Sequence, residues 1–159
     1  MVKVVLYQPE IPPNTGNIAR TCAATNTELH LVGELGFDIS DRAVKRAGLD
    51  YWPYVDLHQH QDWDTFTQYR QRIGGNLIAF SVKGKKPYTN YFFQNEDWLL
   101  FGQESSGLPP EIMASSDELL RIPIPSPHVR SLNLSVSVAI VLYEAKGQLK
   151  QLCDPAFSQ

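Results

Sequence analysis

From residue 133 onward the apolar positions follow a helical period. Leu134, Val138, Val141 and Ala145 recur on one face and Val136, Ile140 and Tyr143 on another, so the segment is apolar nearly all round. The stretch Leu134-Ser-Val-Ser-Val138 alternates as a strand would. The run then continues through Ala139-Ile-Val-Leu-Tyr143 without alternating, and the spacing predicts a helix buried on both sides. A sheet would cover one side and a partner subunit the other. Just upstream, Pro123, Pro125 and Pro127 fix φ and push the residues before them towards extended conformations, which excludes helix over 122–128.

Elsewhere short apolar runs alternate with helical ones. Strands are expected over 2–7, 28–32, 54–58, 76–82, 97–101 and 118–122, the fifth continuously apolar as a strand buried on both faces should be. Helices are expected over 14–25, with Asn14 or Thr15 as cap, over 62–72, closed by Gly74-Gly75, and over 110–115. Another short helix, capped by Ser40 or Asp41, would carry Arg42, Lys45 and Arg46 and stop at Gly48. Pro9, Pro12 and Pro13 read as a loop, as does the polar run 83–87. The alternation means α/β, with a mainly parallel sheet flanked by helices.

Composition narrows the function. A chain of 159 residues reads as one domain, 1–159, and its hydrophobic fraction of 43% suits a globular protein with a sizeable core. The net charge of −3 gives no general affinity for polyanions, so a nucleic-acid site would be a local basic patch. With only Cys22 and Cys153, no signal peptide and no apolar run of about 18 residues, a reduced, cytoplasmic, non-membrane protein is expected. The four histidines show no zinc-helix spacing. His58 and His60 could share a strand face, but no metal is expected.

In a parallel α/β sheet, ligands sit beyond the carboxyl ends of the strands. Four loops there carry chemistry: Asn14-Thr-Gly-Asn17 with Arg20, Phe80-Ser-Val-Lys-Gly84, Gly102-Gln-Glu-Ser-Ser-Gly107, and 122–133. Neither G-x-G-x-x-G nor a complete P-loop occurs, which argues against a Rossmann cofactor site and a nucleoside triphosphatase. Gly102 is either a turn glycine or a place where a ligand meets bare backbone. Glu104 is a solvated loop carboxylate or an anchor for a cationic ligand group. Ser131 and Asn133 either cap the last helix or, with Leu132, offer its free N–H groups to a ligand. Arg20 is a surface ion-pair partner or is directed at phosphate or ribose.

Taken together, Asn14-Thr-Gly-Asn-Ile-Ala-Arg20, Phe101-Gly-Gln-Glu-Ser-Ser-Gly-Leu-Pro109, and Ile122-Pro-Ile124 with Ser131-Leu-Asn-Leu-Ser135 resemble the three motifs of SPOUT-superfamily RNA 2′-O-ribose methyltransferases. Val4-Val-Leu-Tyr-Gln-Pro-Glu-Ile-Pro-Pro-Asn-Thr-Gly-Asn17 and Arg46-Ala-Gly-Leu-Asp-Tyr51 look like the small TrmL or YibK-like branch, which acts on the tRNA wobble nucleotide. The match spans residues 1 to about 150.

The resemblance implies a carboxyl-terminal trefoil knot, which periodicity would not suggest. It also implies S-adenosylmethionine bound by Phe80, Gly102, Glu104, Ile122, Ser131 and Leu132, largely through backbone groups, with a main-chain contact rather than a stack at Phe80. A homodimer would share the active site. Arg20, Asn14 and Asn133 would be catalytic, and no metal would be needed. Lys3, Arg20, Arg42, Lys45, Arg46 and Arg130 are candidates for the patch that meets the anticodon stem-loop, in leucine tRNAs. The rivals are another tRNA or rRNA position, a catalytically silent RNA-binding dimer, and a phosphate-ester hydrolase, for which neither a metal cluster nor an activated nucleophile is evident.

Overall fold

The computed structural model describes residues 1–40 and 50–153. The short helix expected around Arg42, Lys45 and Arg46 falls outside the described residues. Among the described residues, seven strands form one sheet: β1 Lys3–Tyr7, β2 Leu29–Val32, β3 Leu57–His60, β4 Leu77–Phe80, β5 Lys86–Pro87, β6 Trp98–Phe101 and β7 Glu118–Arg121, in the order β3-β2-β1-β6-β4-β7-β5. Every pairing is parallel, with registers such as Val4 opposite Leu29 and Leu99, and Phe80 opposite Phe101. The helices are α1 Pro12–Ala24, α2 Trp63–Ile73, α3 Pro110–Ala114 and α4 Leu134–Gln148.

The two faces of the sheet explain why its central strands are apolar throughout. On one face Val4, Leu6, Leu99 and Ile78 pack with Ile18 and Cys22 of α1 and with Val138, Val141 and Ala145 of α4. On the other, Val5, Trp98 and Leu100 pack with Phe66 of α2 and Ile112 of α3. A strand with helices on both sides has no solvent face to mark with polar residues.

Several expectations shift. The first helix begins at Pro12 rather than at 14, because Pro12 and Pro13 occupy N1 and N2, where a missing N–H costs nothing. Asn14 and Thr15 are consequently buried inside it instead of capping it. The strand expected over 54–58 is β3 at Leu57–His60, since Trp52–Tyr54 turns as a 3₁₀ helix with Pro53 in its first positions. Within the expected loop 83–87, Lys86–Pro87 pairs with β7 at the sheet edge, where a proline is tolerated.

The last helix begins as expected, with Asn133 as cap: its side-chain oxygen accepts from the N–H of Ser135 at 2.8 Å. Burial on both sides does not hold within one chain. Val138, Val141, Leu142 and Ala145 are buried, while Val136 and Tyr143 stay 47% and 49% exposed. The apolar period records both faces, and the fold of a single chain covers one.

Candidate active site

Strands β6, β4 and β7 are neighbours and parallel, so the loops leaving their carboxyl ends gather on one edge of the sheet. With the first turn of α1 they line a cavity of about 520 Å³. Its floor is aromatic: Phe80, at the end of β4, stacks on Phe101 at 4.9 Å and 14°. Phe80 is 8% exposed and packs in the core beneath the cavity.

After β6 the chain folds sharply back. Gln103 and Gly107 exchange two backbone hydrogen bonds of 3.1 and 2.9 Å. A Cβ on Gly102 would stand 2.3 Å from the carbonyl carbon of Gly107. The close approach that requires glycine here is therefore that of the chain itself, as a turn glycine's would be.

Glu104, at the tip of this loop, reaches across to α1. Its carboxylate accepts from the N–H of Glu10 at 2.9 Å, the N–H of Ile11 at 3.1 Å and the side-chain amide of Asn14 at 3.3 Å. The two N–H groups belong to the residues just before the helix, whose first two positions are prolines and bring no N–H of their own. A carboxylate there also faces the positive end of the helix dipole. Glu10 returns the contact, accepting from the N–H and hydroxyl of Ser105, both at 2.9 Å.

Asn14 extends the network. Its carbonyl oxygen accepts from the side-chain amide of Asn133 at 2.9 Å, and Asn133 in turn caps α4. The order Asn133, Asn14, Glu104 thus ties the start of α4, the start of α1 and the loop after β6. Sequence distances of 119 and 90 residues close onto one site.

Of the residues singled out from sequence, Asn14, Phe80, Gly102, Glu104 and Ile122 line the cavity. Arg130, Ser131, Leu132 and Asn133 join them from the loop before α4. Arg20 does not line it. It is exposed on α1, two turns beyond Asn14, and its guanidinium lies 4.8 Å from the ring centre of Tyr51. Tyr51 is anchored in turn, its hydroxyl donating to the carbonyl of Gly16 at 2.7 Å. Burial pushes the phenol above its usual pKa, and Arg20 pulls the other way.

Tyr51 as a platform for Arg20, and Glu10 as partner of Ser105, had no role in the sequence reading. The motif ending at Tyr51 was the available signal, but a residue 31 positions from Arg20 does not declare its contact. Arg42, Lys45 and Arg46 lie outside the described residues. Lys3 drops out of the basic patch: it is 4% exposed and its ammonium is held 2.6 Å from Glu96.

Comparison with known proteins agrees with this geometry. The family model described as the SpoU rRNA Methylase family matches residues 1–143. A Synechocystis protein provisionally named a tRNA (cytidine(34)-2′-O)-methyltransferase is 58% identical, the match covering 96% of this chain and 99% of that protein. A solved structure described as giving insights into 2-OH methylation of C/U34 on tRNA superposes with a TM-score of 0.87 at 50% identity, over 94% of this chain and 91% of that one. An AdoMet-bound rRNA methyltransferase from Sinorhizobium meliloti gives a TM-score of 0.81 at 26% identity, over 96% of this chain and 57% of that one.

Proposed function

The chain belongs to the SpoU rRNA Methylase family, and on that premise we propose that it methylates the ribose 2′-hydroxyl of the wobble nucleotide, position 34, of tRNA. The observation that carries the reading is the convergence of three motif loops on one cavity, in a chain 50% identical to the protein of the C/U34 structure.

The cavity suits S-adenosylmethionine. About 520 Å³ falls within the range of roughly 300–1,000 Å³ typical of small-molecule sites, and an aromatic floor under a polar rim matches a nucleoside in kind. Gly102, Ile122 and Leu132 would hold the adenosine part through backbone groups, with Phe80 in the floor and Ser131 and Glu104 shaping the rim. When bound, the cofactor supplies a sulfonium-linked methyl group open to in-line displacement.

The chain's own residues orient the acceptor. An arginine side chain makes a poor base, so Arg20 does not take the hydroxyl proton. Its place is beside the ribose and phosphate, where a fixed cation stabilises the oxygen that gains charge. Tyr51 holds the guanidinium ready for that role. Asn14 and Asn133 keep the cofactor loops in register with α1, so the acceptor side and the donor side meet at a fixed distance.

A second copy of the chain would cover Val136, Ile140 and Tyr143 on α4 and complete the site. The knot belongs to the same reading, with 122–133 as the cofactor loop and α4 threaded behind it. Arg130, with Arg42, Lys45 and Arg46, would meet the anticodon stem-loop, leucine tRNAs being the expected substrates. We read the chain as one methyltransferase domain acting in the cytoplasm. Among the described residues no helix is long and apolar enough to cross a membrane.

A transfer assay with labelled S-adenosylmethionine tests the reading. Label should enter total tRNA and not ribosomal RNA; label in ribosomal RNA alone would favour a different acceptor, and none in either a silent RNA-binding dimer.

A further inference from the structure

Away from the cavity, at the other edge of the sheet, a second polar cluster lies among residues that do not line it. Glu28-Leu-His30 and Asp56-Leu-His58 are the same acid-Leu-His triplet, carried at the starts of β2 and β3. The strands pair in parallel with Leu29 opposite Leu57 and His30 opposite His58. Because side chains alternate along a strand, each acid shares a face with its own histidine, and the register sets the two pairs side by side.

The contacts follow. The His30 and His58 rings stack at 4.5 Å and 10°. Nε2 of His30 lies 3.3 Å from an oxygen of Glu28, and Nε2 of His58 lies 3.9 Å from the same oxygen and 3.0 Å from Asp56. The ligand atoms of Glu28, His30 and His58 all fall within 4.8 Å of one another. Behind them His60 places its Nε2 2.9 Å from Nδ1 of His30, and Phe66, Tyr69 and Trp98 pack around the His30 ring.

We propose that Glu28, His30, His58 and Asp56 form a binding site for a divalent transition-metal ion of the zinc class. Two imidazoles and two carboxylates suit that class better than they suit magnesium or calcium, which favour all-oxygen sets. Bonds of about 2.0–2.2 Å require the ligand atoms to draw together. Glu28, His58 and Asp56 supply the movement, their side chains being 34%, 33% and 66% exposed: the carboxylates swing in and the His58 ring turns out of its parallel stack so that both Nε2 lone pairs meet one ion, while buried His30 is the fixed point.

His60 orients the site. When Nδ1–H of His30 donates to His60, Nε2 of His30 presents its lone pair towards the ion, the usual arrangement behind a metal-bound histidine. The nearby Lys3 ammonium is already matched by Glu96. Four protein ligands leave no open position for a substrate, so the role is structural: the ion would fasten edge strand β3 to β2.

Untagged, chelator-treated Cys153→Ser protein, which lacks the exposed thiol, is titrated with cobalt(II) and then zinc(II). One cobalt per chain should bind with a tetrahedral visible spectrum, zinc should displace it, and the melting temperature should rise. His58→Ala and Asp56→Asn, both at the exposed rim, should each weaken binding at least about tenfold, and His60→Gln about tenfold through orientation alone. Equal affinity in the parent and His58→Ala proteins, or no cobalt spectrum, would overturn the assignment. Methyl transfer is measured in parallel: metal binding stands or falls independently of it.

Discussion

Two stretches of α1, its first turn at Asn14 and its middle at Arg20, differ in how finished they are. At Asn14 the helix is stitched to the loop after β6 and to the start of α4 by the side chains of Glu104 and Asn133, all within one chain. At Arg20 it faces solvent, and the guanidinium rests on Tyr51. The first stretch is built before any ligand arrives, which lowers the ordering cost of binding a small molecule. The second is open on the side where RNA and a second subunit would enter. Cofactor binding and acceptor binding should therefore respond to mutation separately.

Arg20→Ala gives the largest separation. Methyl transfer should fall by about 10²–10³-fold or more, the scale of losing a charge-stabilising donor. Cofactor affinity, measured by calorimetry, should stay within error of the parent. A parallel loss of cofactor binding would place Arg20 on the finished side and erase the contrast.

Next come Val136→Asp and Tyr143→Asp on the exposed face of α4. Light scattering should show a monomer, with transfer falling in step with the lost dimer. A dimer that persists in both variants would mean that another surface joins the subunits.

Glu104→Ala probes the finished stretch from within. The N–H groups of Glu10 and Ile11, just before α1, and the Asn14 amide lose their acceptor, so unfolding free energy should drop by about 1–3 kcal/mol. Cofactor affinity should fall with it, and Glu104→Gln should recover part of both. Unchanged denaturation midpoints would show that the network adds nothing to stability.

Tyr51→Leu should have the smallest effect. It removes a cation–π contact of about 0.5–1 kcal/mol and should slow transfer a few-fold, while Tyr51→Phe keeps the ring. A Leu variant as fast as the parent would leave Arg20 positioned by something else.

The same contrast governs what could be read from the chain. The α/β class, Asn133 as a helix cap and the cavity loops were legible because each depends on residues close in sequence: proline spacing, a cap before an apolar run, a glycine loop after a buried strand. The start of α1 was misread because proline signals a break in most places and a beginning at N1. The neighbours of Glu104 were not legible at all, since its partners lie 90 to 94 residues upstream. The histidine cluster was hidden for the same reason: two triplets 28 positions apart become neighbours only through the β2–β3 register. The outward face of α4 shows the reverse case, a pattern that stated more burial than one chain provides.

On the proposed reading, the open stretch of α1 at Arg20 and the built cavity together serve nucleotide 34. Mass spectrometry of nuclease fragments from leucine tRNA, incubated with the protein and labelled S-adenosylmethionine, tests it directly. A single 2′-O-methyl group on the wobble nucleotide, absent with Arg20→Ala, is the predicted result. Methylation at any other nucleotide, or none in the presence of bound cofactor, would contradict it.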